Sequence, residues 1–545
     1  MCGFFPFVII YFIDCVVIKI NKVQKYFFNA VLLSLAGILI NTISVGFNIF
    51  VTNKVGAEGI GLITLSSGIY SFAITVATSG IQLTVIRLVS MVVPYEDNIP
   101  LDKSRNKSVA KIMKSALFYS LFFSISASFI LFVFAVPIGK YALGSTKVIP
   151  SLKIMAFSLV PISVSSVLNG YFSAVRRIYK NVIARFFEQG VKISTVSYLL
   201  TLLSPSGIEY ACASLALGAT VSELFSMMIS GILYIFDRRK HRNLTSDAKE
   251  RIKEYSVFKE AFPIGVSGYV RSGLSTVEHL LIPYGFRKNG ASEKSAFISY
   301  GILHGMVFPL LLFPSSVIGS FSSLLVPEIS AFYERKDFSR IRYIVSRVFS
   351  STLIFAFGVS GILICFSNEI GIFFYGTSEA GEFIRLLSPL IPLMYLDGTV
   401  DGILKGLGEQ LYTMRVNILD SLVSVFLILL LLPPFGITGY VVVIFITELL
   451  NTSLSIIRLL NITKTKTNVI KWVVKPVICI VLSTAISRFV FNFGVFGFSL
   501  GKMTTVFEIS FTAIVYLLLS YLTGSISNEE IGLVKKLVSK KKSKN

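Results

Sequence analysis

The chain is 545 residues long, 54% apolar and only 15% charged, with a formal net charge of +22 and a mean hydropathy of +0.76. Soluble domains average about 25% charged residues, whereas here apolar runs long enough to cross a bilayer recur from end to end. This excludes a soluble globular protein and reads as an all-α polytopic membrane protein, and the positive charge, concentrated in short loops, fits membrane orientation and not nucleic-acid binding.

Residues 3–20 form an apolar run containing Asp14, accompanied by Lys19, Lys22 and Lys25. No small-residue cleavage site follows, so residues 1–26 read as an N-terminal apolar extension: an extra helix, an interfacial anchor, or a segment upstream of the natural start. From Phe27 onward about fourteen transmembrane helices are expected, roughly at 27–51, 61–90, 115–136, 152–175, 183–204, 209–236 and 262–283, then 296–326, 348–370, 383–404, 412–432, 437–460, 472–493 and 503–523. Placing the start of the first span in the cytoplasm puts Lys103, Arg105, Lys107, Lys111 and Lys114 inside. Arg176, Arg177, Lys180 and Arg185 then lie inside as well, as do the basic run 238–253, Arg335–Arg347 and the Lys-rich tail. The positive-inside rule selects this orientation, with the core start near residue 27 and the C-terminus cytoplasmic.

Local motifs exclude several chemistries. The cysteines Cys2, Cys15, Cys212, Cys365 and Cys479 have no CxxC spacing, and His241, His279 and His304 are too few for a multi-histidine centre, so no metal site is expected. A Walker A motif is absent and no catalytic set converges, which leaves neither an ATP-driven pump nor an enzyme, and no catalytic residue. The glycines of Gly56-Ala-Glu-Gly-Ile-Gly61 read as a turn between the first two spans.

The seventh span, FPIGVSGYVRSGLSTVEHLLIP, carries Arg271, Glu278 and His279. A charge at a bilayer centre costs about 2.5–3.5 kcal/mol on insertion scales, so such residues face protein or a wet cavity. Arg271, Ser275 and Glu278 stand at i, i+4 and i+7 on one helical face. Asn41 and Asn48 repeat the seven-residue spacing of Arg271 and Glu278 at an offset of about 230 residues. Pro161 with Asn169-Gly170 matches Pro392 with Asp401-Gly402 at nearly the same offset. The pattern predicts two parallel six-helix bundles, 27–258 and 259–471, facing a central cleft. Two additional helices follow in 472–523, and a basic cytoplasmic tail in 524–545.

The run NAVLLSLAGILINTISVGFNIFVTNKVGAEGIGLITLSSGIYSFAITVATSGIQLTVIRLVS resembles the opening of stage V sporulation protein B-like polysaccharide transporters. LNGYFSAVRRIYKNVIARFFEQGVKI and KEAFPIGVSGYVRSGLSTVEHLLIP with YGILHGMVFPLLLFPSSVIGSFSSLLVPEIS resemble later parts of the same family, and the resemblance covers about residues 25–470. It implies the multidrug/oligosaccharidyl-lipid/polysaccharide (MOP) exporter superfamily and a MATE-like fold in a bacterial cytoplasmic membrane. The implied activity is that of a flippase moving an undecaprenyl-pyrophosphate-linked oligosaccharide or cell-wall precursor by alternating access, in peptidoglycan or spore-cortex synthesis. Where relatives commonly have a Lys and a closing Glu near the end of the second span, this chain has Arg87 and Met91; the acidic position of the seventh, often Asp, is Glu278, followed by His279.

A pyrophosphate headgroup requires cations and donors, and the planar fork of Arg271 suits phosphate oxygens. Ser275, Glu278, His279, His304, Asn41, Asn48 and Gln82 complete the candidate cleft. Glu278 is a candidate protonation or cation-coupling group, with Asp397 and Asp401 as weaker ones, which would make protons or Na+ the driving ions in place of a cofactor. Glu188 and Lys192 read as an i, i+4 ion pair, and Glu223, Asp420 and Glu448 have no nameable partner. The expected partners are a lipid-linked oligosaccharide and membrane lipids. The alternative, a cation-coupled multidrug antiporter, requires a compact acidic pocket within one half, and in sequence the acidic residues are spread over several spans.

Overall fold

The computed structural model describes residues 22–93, 103–203, 207–240, 256–492 and 502–525. The N-terminal extension before residue 22, the basic segment 241–255 with His241, and the Lys-rich tail lie outside the described residues. Those described are almost entirely helical, and among them ten stretches are long and apolar enough to cross a membrane. In lipid, helices satisfy every backbone polar group internally, which is why this composition gives one helix after another.

The first half contains α1 (Lys22–Thr78), α2 (Ile81–Val92), α3 (Lys103–Pro137), α4 (Ile149–Ala174), α5 (Tyr179–Leu203) and α6 (Ile208–Lys240). The second contains α7 (Val257–Lys288), α8 (Glu293–Tyr300), a π-helical turn Gly301–Val307, α9 (Phe308–Leu312), α10 (Ser315–Glu334), α11 (Phe338–Cys365), α12 (Ser367–Tyr375), α13 (Ser378–Leu387), α14 (Ile391–Gly406) and α15 (Gln410–Thr463). α16 (Lys475–Asn492) and α17 (Lys502–Leu522) follow. α1 is two helices joined at Gly56 (φ 78°), so the expected glycine turn is there, and α15 is broken in the same way at Gly436 (φ 57°). Only glycine enters that left-handed region without steric cost.

Several boundaries differ from expectation for local reasons. α3 begins at Lys103, twelve residues early, because its basic segment continues the helix of the apolar run. α11 begins at Phe338, where the Asp337 side chain accepts from the Arg340 amide, and stops at Cys365. The residues read as its end form the separate short helix α12.

Packing sorts the helices into two groups. α2 to α6 pack on one another and on α1, while α10, α11, α14 and α15 form a second set against which α16 and α17 lie. α7 joins the groups by packing on both α1 and α15. Only 22% of the most apolar window of α3 and 17% of that of α17 is buried, so these helices face lipid.

One large apolar cluster crosses from group to group, with Leu62 and Leu152 from the first and Phe297, Tyr395 and Leu432 from the second. The groups are also tied together at the end carrying the Gly56 turn. There Glu58 meets Lys147 at 2.9 Å and Lys294 at 3.8 Å, and Asn53 Nδ2 donates to the Phe374 carbonyl at 3.0 Å. At the opposite end Arg87 on α2 pairs with Glu260 on α7 at 2.8 Å.

Close approach between α1 and the α8–π segment depends on two glycines. A Cβ on Gly61 would stand 2.0 Å from the Phe297 carbonyl oxygen, and one on Gly301 would stand 2.2 Å from that of Ala57. Small residues at such crossings let membrane helices pack backbone to backbone. Gly301→Ala is therefore expected to destabilise the fold by about 1–3 kcal/mol, seen as a lower melting temperature in detergent. Gly319→Ala, whose Cβ meets nothing within 4 Å, is the control that should show no loss.

Candidate functional site

Two polar faces run along α7. Tyr269, Ser272 and Thr276 face α1: the Tyr269 hydroxyl bonds Ser79, Thr75 Oγ1 donates to Ser272 Oγ at 3.2 Å, and Thr276 Oγ1 donates to the Gly68 carbonyl at 3.2 Å. These bonds stitch the two groups together. Arg271, Ser275 and Glu278 lie on the other face, as their spacing requires.

Arg271 is exposed and makes no hydrogen bond or ion pair among the described residues, so the intrahelical Arg271–Glu278 pair does not form. Its guanidinium is instead within electrostatic reach of Asp397 and Asp401 on α14. Asp401 is 3.8 Å from Lys405, one turn along. Asp397 accepts from Asn451 Nδ2 at 3.4 Å, and its second oxygen has no partner.

Glu278 points toward α15 and accepts from Ser424 Oγ at 2.7 Å. It lies within electrostatic reach of Asp420, which also feels Asp397, and Glu448 feels both of those aspartates. Carboxylates spread over four spans in sequence are therefore gathered in one half. Among the described residues none of Glu278, Asp397, Asp420 and Glu448 has a Lys or Arg at ion-pair distance. No three His, Cys, Asp or Glu converge closely enough to hold a metal ion among the described residues.

His279 and His304 are adjacent, not isolated, with ring centroids 5.1 Å apart. The Tyr300 hydroxyl is 3.0 Å from His279 Nδ1, and the Tyr440 hydroxyl is 2.7 Å from His304 Nε2. Tyr300 also stacks on His304 at 4.6 Å. The π-helical turn makes this possible by adding a residue to the turn that carries His304, and such turns recur at functional sites. The sequence signal was present as Tyr300 and His304 at i, i+4; their meeting with Tyr440 was not visible without the fold.

The remaining candidates separate. Asn48 Nδ2 donates to the Gly305 carbonyl at 3.2 Å, so one N–H of this amide ties α1 to the π turn. Asn41 is exposed and Ser275 half-buried, each without a hydrogen-bond partner among the described residues. Gln82 is exposed on α2 at the rim of a different cavity, among the first-half helices. Glu188 and Lys192 do not form the expected ion pair: no such contact lies within ion-pair distance, and Glu188 turns toward that same cavity. Asp420, Glu448, Ser424, Tyr300 and Tyr440 are the members that sequence reasoning left unassigned.

The family described as polysaccharide biosynthesis protein matches residues 28–333, more than half of the chain. Stage V sporulation protein B of Bacillus subtilis (strain 168) is 27% identical over 489 residues, covering 86% of this chain and 91% of that protein. Sporulation protein YkvU of the same organism is 20% identical over 366 residues, covering 66% of this chain and 77% of that protein. Among solved structures, lipid II flippase MurJ in an inward closed conformation superposes with a TM-score of 0.66 at 16% identity, covering 91% of this chain and 99% of that one. An inward-facing multidrug resistance MATE family transporter of the MOP superfamily gives a TM-score of 0.60 at 12% identity, covering 80% and 100%.

Proposed function

The chain belongs to the polysaccharide biosynthesis protein family, and from that premise we propose that it is a flippase carrying a pyrophosphate-linked oligosaccharide or cell-wall precursor across a bacterial cytoplasmic membrane. The observation that carries the reading is Arg271, a cation within a membrane span that makes no hydrogen bond or ion pair among the described residues. A guanidinium kept unpaired there costs free energy unless a passing anion uses it. Pyrophosphate oxygens supply that anion with matched bidentate geometry. The stage V sporulation protein B relative and the MurJ neighbour support this substrate class.

We place the start of α1 and the tail in the cytoplasm on the distribution of Lys and Arg, in a chain of fourteen crossings built as two six-helix lobes plus two helices. In that orientation the Gly56 end, where Glu58 meets Lys294, is external, and the Arg87–Glu260 end is cytoplasmic. Alternating access then requires Glu58 to release Lys294, and Asn53 to release the Phe374 carbonyl, on opening outward. The chain acts as a transporter and not as an enzyme.

The carboxyl cluster around Glu278 and Asp397 is the coupling element. Half-buried carboxylates gathered close together without an ion pair are costly as anions, and a proton or a monovalent cation entering from one side offsets that cost. Glu278→Gln is expected to slow gradient-dependent flux about tenfold, the scale of a typical coupling energy, while flux without a gradient stays at its basal level. Indifference of transport to the gradient would remove this role.

The compact acidic set also favours a second reading, a cation-coupled drug antiporter. Depleting the protein and identifying the accumulating lipid by mass spectrometry separates the two. A lipid-linked saccharide building up in the membrane is expected of the flippase; drug sensitivity with unchanged precursor pools would establish the antiporter instead.

A further inference from the structure

A second polar cavity, of about 610 Å³, lies among α1, α2, α4, α5 and α6 and takes no part in the arrangement above. That volume is within the roughly 300–1,000 Å³ typical of small-molecule sites. It opens where the helix breaks: α1 ends at Thr78 and α2 begins at Ile81, with Ser79 (φ 44°) and Gly80 (φ 71°) both left-handed between them. Gln82, Gln189, Asn169, Ser165, Glu188 and Glu223 supply polar groups, and Ile40, Ile74 and Ile162 an apolar wall. The rim residues Gln82, Leu83 and Arg185 are exposed.

The chemistry of the lining selects a ligand class. The charged lining residues are Arg185, Glu188 and Glu223, with Lys192 behind them in electrostatic reach of Glu223, so the cavity wall carries no excess of positive charge. A phosphate seeks net positive charge and charge-assisted donors, which this cavity does not offer. A metal ion needs several oxygens converging at about 2.0–2.6 Å, and no three His, Cys, Asp or Glu do so among the described residues. What is offered is a mixture of donors and acceptors, with amides that serve both ways and carboxylates that only accept. Ser165 is only 5% exposed, yet its Oγ has no hydrogen-bond partner, and neither has Asn169 Oδ1. Buried polar atoms left unpaired are unfavourable unless something completes them.

We infer that this cavity is a glycan subsite, binding the neutral hydroxyl-bearing face of a sugar residue. Glu188 and Glu223 accept from its hydroxyls, Gln82 and Gln189 bond in both directions, Ser165 and Asn169 close the set, and the isoleucines meet the sugar's C–H face. The inference rests on the flippase reading only for the origin of the sugar, the glycan of the lipid-linked passenger. Glycan and headgroup are then held by different residues, the glycan here and the pyrophosphate by Arg271.

The test uses the full chain in lipid nanodiscs and saturation-transfer NMR with a β-1,4-linked N-acetylglucosamine disaccharide, with inorganic pyrophosphate titrated in parallel. Disaccharide signals are expected, and Glu188→Gln, which keeps the side chain's size, should weaken binding roughly tenfold, as for one lost hydrogen bond to a charged group. Ser165→Ala should weaken it several-fold, and Arg271→Ala should abolish pyrophosphate binding while leaving the disaccharide bound. No disaccharide signal, or the same affinity in wild type, Glu188→Gln and Ser165→Ala, would overturn the subsite. Sodium displacing the disaccharide completely at millimolar concentration would overturn it too. Disaccharide binding that persists where pyrophosphate never binds supports the subsite and counts against the headgroup assignment, so the two fail separately.

Discussion

Arg271→Ala should reduce flux of a pyrophosphate-linked saccharide by more than about a hundredfold. A bidentate guanidinium–phosphate contact supplies two charge-assisted hydrogen bonds, each contributing about 1.5–3 kcal/mol, and about 1.4 kcal/mol corresponds to a factor of ten. Folding should be untouched, because the side chain is exposed and makes no hydrogen bond or ion pair among the described residues. Expression, monodispersity and melting temperature are therefore expected to match the wild type while complementation of a flippase-deficient strain fails. Arg271→Lys keeps the charge but loses the fork, and should recover part of the flux. Full activity of Arg271→Ala would remove this residue from the headgroup site, and an equal loss of melting temperature would mean that its role is packing.

The largest stability effect is expected at Asp237, near the end of α6. Its carboxylate, with a side chain only 2% exposed, is bonded by Arg177 and Lys180, and the Tyr171 hydroxyl donates to it at 3.0 Å. Lys180 also lies over the Phe172 ring at 5.1 Å. Asp237→Ala leaves the mostly buried ammonium of Lys180 without its counter-charge, a change that costs about 3–5 kcal/mol when one partner of a buried pair is removed. Detergent-solubilised protein should melt well below the wild type. Lys180→Met combined with Asp237→Leu should restore part of that loss, because replacing the whole pair avoids stranding a charge. A double variant as unstable as the single one would show that the carboxylate acts through Arg177 and Tyr171 alone.

Arg177 and Lys180 illustrate how far a charge pattern can be read. As members of a basic loop they carry topological information, and nothing in their spacing announces a carboxylate some sixty positions on. Glu188 and Lys192 illustrate the reverse: a spacing that predicts an ion pair yields none, because a cavity wall takes the carboxylate. On α7 the helical period did place Arg271, Ser275 and Glu278 on one face. It could not say that Tyr269, Ser272 and Thr276 would bind α1 while the first face turned toward α14 and α15.

Sequence alone determined the solvent and the secondary structure. Long apolar runs in lipid leave the backbone no partner but itself, so helices follow, and glycine at position 56 marks a turn because only glycine accepts that backbone geometry cheaply. Tertiary structure decided which polar groups meet. The gathering of Glu278, Asp397, Asp420 and Glu448, the His279–Tyr300 and His304–Tyr440 contacts, and the cavity beside the α1–α2 break all join residues far apart in the chain. Such contacts depend on how helices rotate and cross, and that is set by packing summed over the molecule, with steps such as Gly61 against Phe297, which no local pattern encodes.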